Sequence, residues 1–65
     1  MWKEAYNQIK KLPKSEVREF QRQMQTELGL GYVQCTRIIS GKSDISFENG
    51  LKLIELFKKF GVKLK

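Results

Sequence analysis

The sequence predicts an all-α protein, a single small domain of four to five helices. Three observations point there. Apolar residues recur with a period near 3.6 along four segments, and only the last few residues alternate as a strand would. The strong helix breakers gather at three corners, at Pro13, at Gly29–Gly31 and at 41–44. The chain of 65 residues, 40% of them hydrophobic and 31% charged, has material for one small core and no room for a second.

The first helix is expected over 2–12. Trp2, Ala5, Tyr6, Ile9 and Leu12 fall on one face. Pro13 disfavours helical geometry at Leu12 and ends the helix near there. Lys10 and Lys11 occupy the last turn, where cations suit the helix dipole.

The second helix is expected over 15–28, with Ser15 as its N-cap and Glu16 in its first turn. Val17, Phe20, Met24 and Leu28 make a narrow apolar stripe, the remainder is largely polar, and Gly29 is the stop. The third helix is short, over 32–40, and closes at Gly41. Cys35, Ile38 and Ile39 share one side of it; Val33, Thr36, Arg37 and Ser40 share the other, with Tyr32 at the edge.

The fourth helix is expected over 46–60, with Ser46 as N-cap. Its apolar positions cover roughly 220° of the helical wheel, far more than the stripe of a surface helix. Phe47, Leu51, Ile54 and Phe57 suffice for one core face. Leu53, Leu56 and Phe60 then remain as a self-association patch or as a seat for the first helix. After Gly61, Val62 and Leu64 alternate with lysines, the pattern of a short C-terminal strand or a frayed end.

The function classes narrow quickly. With no His and one Cys, a His/Cys metal site and an internal disulfide are excluded, and no acidic loop has ligand spacing. No nucleophile–base pair or phosphate loop is present, so neither an enzyme, a cofactor nor a small-molecule substrate is expected. No apolar run approaches the ~20 residues of a membrane span, and the N-terminus lacks a signal-peptide stretch; with the single Cys, this suggests a cytoplasmic setting. The balance of 13 basic to 7 acidic residues, a net charge of +6, favours a polyanionic partner.

The informative stretch is GLGYVQCTRIISG, from Gly29 to Gly41. One helix ends, a glycine turns the chain, and a second, short helix begins within three residues. A free polar face on a rigid helix in a basic domain is what reading of the DNA major groove requires. Arg37 can fork onto guanine O6 and N7, Val33 and the Thr36 methyl can meet a thymine methyl, and Tyr32 can reach a phosphate or a base edge. The N–H groups of Gly31 and Tyr32 suit an anion, and Lys42 is placed for a phosphate.

These residues resemble the turn and recognition helix of the Cro/repressor, lambda-repressor-like helix-turn-helix domains. The segment DISFENGLKLIELFKKFGV resembles that family's later helix, and the resemblance covers about residues 15 to 62. It implies a helix-turn-helix fold whose base-reading face falls on Tyr32, Val33, Thr36 and Arg37, with Ser40 nearer the rim. Separately, the surplus apolar residues of the fourth helix suggest a homodimer, which would place two recognition helices ~34 Å apart on a palindromic double-stranded DNA site. The implied activity is sequence-specific, repressor-like transcription regulation of the phage, plasmid or mobile-element type, in a bacterial cell or phage-infected host. There are two departures: Gln25 stands where the family usually has Ala at the helix crossing, and Gln21, at the family's phosphate contact, lies in mid-helix. Two other classes compete. A protein-interaction module on the same scaffold would use the wide apolar arc of the fourth helix, and a membrane-active cationic protein would use its lysines.

Overall fold

A computed structural model of the chain describes residues 2–64. Four helices account for most of them: α1 (Trp2–Lys10), α2 (Lys14–Leu28), α3 (Tyr32–Ser40) and α4 (Phe47–Lys59). The described residues contain no strand, and none of their helices is long and apolar enough to cross a membrane.

Each boundary has a local cause. α1 closes two residues earlier than its apolar pattern suggests. The N–H groups of Lys11 and Leu12 fold back to the carbonyls of Gln8 (3.2 Å) and Ile9 (2.9 Å), and Pro13 then takes an extended ψ of 150°. The expected cap at Ser15 is not used. α2 begins at Lys14, and Pro13 occupies the capping position, its carbonyl accepting from Glu16 and Val17 at 2.9 and 3.1 Å. Proline fixes φ near the helical value and has no N–H to orphan, so it starts a helix without a side-chain cap.

α2 ends as predicted. Gly29 sits at φ 66°, and the Gly29 and Leu30 N–H groups both donate to the Gln25 carbonyl. This is a left-handed helix close that a β-carbon would strain. Ser46 caps α4, its hydroxyl accepting from the Asn49 N–H at 3.2 Å.

The core gathers around Phe20. Its ring lies 6.0 Å from Tyr6, 5.0 Å from Phe57 and 5.3 Å from Phe60, which it meets edge-on. Trp2 stacks on Phe57 at 6.1 Å. These aromatic contacts join α1, α2 and α4, and Ala5, Ile9, Met24, Leu28, Cys35 and Ile38 complete the interior. The inner faces predicted for α1, α2 and α3 are therefore the observed ones.

α4 is rolled relative to expectation. Leu53 and Phe57 are fully buried and Leu56 nearly so, whereas Phe47 is 81% and Leu51 50% exposed. Of the wide apolar arc, the part from roughly 180° to 280° faces inward, while the part around Phe47 and Leu51 faces water. The physical reason lies outside the helix. The Asn49 side chain donates to the Leu28 carbonyl (3.4 Å), and Phe60 is drawn against Phe20, so both ends of α4 are tied down by α2. The self-association patch expected at Leu53, Leu56 and Phe60 is thus corrected: Leu53 and Leu56 are core residues, and Phe60 is packed against that core.

The tail is neither a strand nor frayed through residue 64; Lys65 lies outside the described residues. Val62 is buried, and the Gln8 side-chain amide grips the Lys63 backbone. Its Nε2 donates to the Lys63 carbonyl at 2.9 Å, and its Oε1 accepts from the Lys63 N–H at 3.2 Å. One glutamine side chain on α1 supplies the pair of bonds that a neighbouring strand would have supplied.

Candidate nucleic-acid interface

α3 is set into position by its two glycine corners and by α1 and α2, both of which it packs against. Cys35 and Ile38 are buried and Ile39 half-buried, which orients the helix about its own axis. Burial pushes the Cys35 thiol above its ordinary pKa, so it is a core residue and a poor nucleophile.

The opposite face is free. Tyr32 is 55% and Val33 67% exposed, and Thr36, Arg37 and Ser40 are exposed beside them. The sequence places Val33, Thr36, Arg37 and Ser40 on this face with Tyr32 at its edge, and all five are exposed. Gly31 and Lys42, at the two ends, are exposed as well. Thr36 Oγ1 donates to the Tyr32 carbonyl at 3.0 Å, and Ser40 Oγ donates to the Arg37 carbonyl at 3.1 Å. Each hydroxyl proton is thus held by the helix itself, and the oxygens keep lone pairs to accept from a ligand. The only ion pair among the described residues joins Arg22 to Glu19, so Arg37 keeps its guanidinium available. That pairing holds the Glu19 carboxyl below its ordinary pKa, chiefly through the Arg22 hydrogen bond.

The start of α3 has no side-chain cap, because Gly31 has no side chain to offer. The first amide to reach a helical carbonyl is that of Cys35, which donates to Gly31 at 3.0 Å. The N–H groups of Tyr32, Val33 and Gln34 therefore point out of the helix end with no acidic residue in the first turn to compete for them. At the other end Gly41 takes φ 82°, and the Arg37 carbonyl accepts from Gly41, Lys42 and Ser43 together. This closes the helix tightly and fixes where Lys42 leaves it.

Gln25 has a visible effect. It lines a cleft of about 290 Å³ between α1, α2 and α3, shared with Tyr6, Lys10, Gln21, Tyr32 and Thr36. Gln21 is in mid-helix as anticipated, and its Nε2 donates to the Tyr6 hydroxyl at 2.7 Å. The Gln21 side-chain amide is thus engaged inside the molecule. Lys10 lies over the Tyr6 ring, 5.6 Å from its centre, at the mouth of the same cleft.

Sequence reasoning missed Lys10, because its nearness to Tyr32 and Thr36 comes from α1 crossing α3. The available signal was compositional: KKLPKSEVR, over residues 10–18, carries four cations and a single acid. No group of three or more metal-ligating side chains comes together among the described residues. In comparison with known proteins, no family model, curated sequence or solved structure matches this chain.

Proposed function

We propose that the protein is a sequence-specific double-stranded DNA-binding regulator that reads the major groove with the outer face of α3. The observation that carries the reading is the state of that face: a nine-residue helix closed by glycine corners, with Tyr32, Val33, Thr36, Arg37 and Ser40 all exposed and Arg37 without an ion-pair partner. A net charge of +6 on so small a surface supplies the long-range attraction such a partner needs. Arg37 reads a guanine, Val33 and Thr36 meet a thymine methyl, and the open amides at Gly31 and Tyr32, with Lys42, hold phosphates. The helix-turn-helix resemblance adds repressor-like transcription control to this chemistry.

Pairing of two copies on a palindrome belongs to the same proposal, with a different contact from the one expected. Phe47 and Leu51 are the apolar residues that α4 leaves to solvent. The shallow groove beside Leu51 is lined by Glu27, Glu55, Lys52 and Lys59, a balanced set of charges that a two-fold axis would match to itself.

Titration of duplexes recovered by selection from random sequence tests both parts. Arg37→Ala should cost about 1–3 kcal/mol on the preferred site and flatten the ranking of sites. Duplexes carrying one half-site or two, titrated side by side, report pairing. An Arg37→Ala protein with unchanged affinity and ranking would remove the assigned face. Absence of any retardation at low salt by a folded protein would replace the reading with that of a protein-interaction module.

A further inference from the structure

The α1–α2 corner, residues 10–18, carries four cations and a single acid, and its Lys10 lines a cleft with α3. Lys10 belongs to two depressions at once. On one side it shares the cleft with Tyr32 and Thr36 of α3. On the other it borders a shallow hollow of about 300 Å³ with Leu12, Lys14, Val17 and Arg18. A line of cations thus runs from Arg18 and Lys14 through Lys10 to the flank of the candidate reading face.

The chemistry of the line is uniform. Lys14 and Arg18 are four residues apart on α2, one above the other and one turn, ~5.4 Å, apart along the axis. Glu16 lies between them in sequence but about 200° around the helix from each, so it faces away from both. Glu19, the next acid, is taken up by Arg22. Lys10, Lys14 and Arg18 are all exposed.

We propose that this corner is a second nucleic-acid contact, which grips the phosphodiester backbone of the same duplex beside the groove that α3 occupies. The inference rests on the reading of α3 given above and extends it to α1, which that reading does not use. The geometry allows it, because the longest dimension of the molecule is 27 Å, within one duplex turn of ~34 Å. A phosphate backbone is the partner that the charge selects. It offers regularly spaced single negative charges that match a row of three exposed cations, whereas the shallow hollow between them is otherwise lined by Leu12 and Val17, with no further polar side chain to hold a small anion.

The test is a salt titration of retardation on two duplexes, the best selected site and a mixed-sequence duplex of equal length. The triple variant Lys10→Gln, Lys14→Gln, Arg18→Gln removes three exposed charges and leaves the core untouched. Each lost phosphate contact lowers the slope of log K against log salt by about 0.9, so the slope should fall by about 2 to 3. Affinity near 0.1 M salt should fall on the order of a hundredfold, equally on both duplexes, with the ranking of sites unchanged. A control triple, Lys52→Gln, Lys58→Gln, Lys63→Gln, removes the same charge from α4 and the tail and should change the slope by less than one. Wild-type retardation with Arg37-dependent ranking, combined with a corner triple that behaves as wild type or as the control does, overturns the corner and leaves the α3 reading intact. Absence of wild-type retardation overturns both.

Discussion

The roll of α4 makes a sharp energetic prediction, because two leucines two positions apart should behave oppositely. Leu53 is fully buried, in the cluster that holds Phe20 and Phe57. Leu53→Ala removes the transfer energy of the lost carbons and leaves a cavity that the surrounding aromatic rings cannot fill, at a cost of about 2–5 kcal/mol. Leu51 is 50% exposed, so Leu51→Ala forfeits only part of a transfer term and opens no cavity, at a cost under about 1 kcal/mol. A domain of this size has about 3–10 kcal/mol of total stability, so the first substitution consumes a large share of it. In thermal melts followed by helical circular dichroism, each kcal/mol corresponds to about 4–8 °C. Leu53→Ala should therefore lower Tm by about 10 °C or more, and Leu51→Ala by a few degrees. Urea titration gives the same ordering in midpoint. A Leu51→Ala loss equal to or larger than that of Leu53→Ala would mean that Phe47 and Leu51 face the core after all. The reasoning from burial, and the corrected self-association face with it, would then be wrong.

Two further outcomes follow from the α2–α3 corner and the interior. Gly29 holds φ at 66° whereas Gly31 has an ordinary extended backbone, and a β-carbon at either would meet open space. Gly29→Ala should therefore destabilise by about 1–2 kcal/mol through backbone strain and Gly31→Ala by much less, a contrast readable in urea midpoints. Cys35 is buried and its thiol is held in the protonated form by that burial, so thiolate chemistry is suppressed twice over. Alkylation at pH 8 should be far slower in the folded protein than in guanidinium, and the two rates should converge only as the fold is lost; equal rates would place the thiol at the surface.

The uneven legibility of the sequence has a physical origin. α1, α2 and α3 carry narrow apolar stripes, so only one rotation about each axis buries them. Val17, Phe20, Met24 and Leu28 on α2 leave no alternative. The outer face of α3 followed from the same logic: once Cys35 and Ile38 turn in, Val33, Thr36 and Arg37 must turn out. α4 has apolar residues over more than half of its circumference, and its rotation is decided by Asn49 reaching Leu28 and by Phe60 meeting Phe20, contacts between residues far apart in the chain. The tail failed for a related reason. Val62 and Leu64 alternate as strand residues do, but the pairing partner is a side chain, Gln8, more than fifty positions away. At Pro13 the local rule favouring a serine cap lost to the stiffness of proline two residues earlier. The basic surroundings of Lys10 were readable, but its place on the cleft shared with Tyr32 was not, because that depends on how α1 crosses α3.

That crossing also explains how so short a helix can present a rigid face. Isolated helices under about 12–15 residues are marginal in water, and α3 has nine residues, only two of them fully inside. Two glycine closures fix its ends, but they do not fix its tilt. A cleft lined by Gln25 opens between α1, α2 and α3, and α3 packs against both neighbours, so α1 is a second buttress beside α2. α1 is itself held from both sides, by Trp2 stacked on Phe57 and by Gln8 clamped to the tail. The tilt of the candidate reading face is therefore set by residues at the two ends of the chain. The helix that sets it also carries Lys10 to its flank, over the Tyr6 ring whose hydroxyl accepts from Gln21. In this architecture the element that buttresses the candidate reading helix and the element that carries Lys10 to its flank are the same, so a change in the α1–α3 packing would shift both.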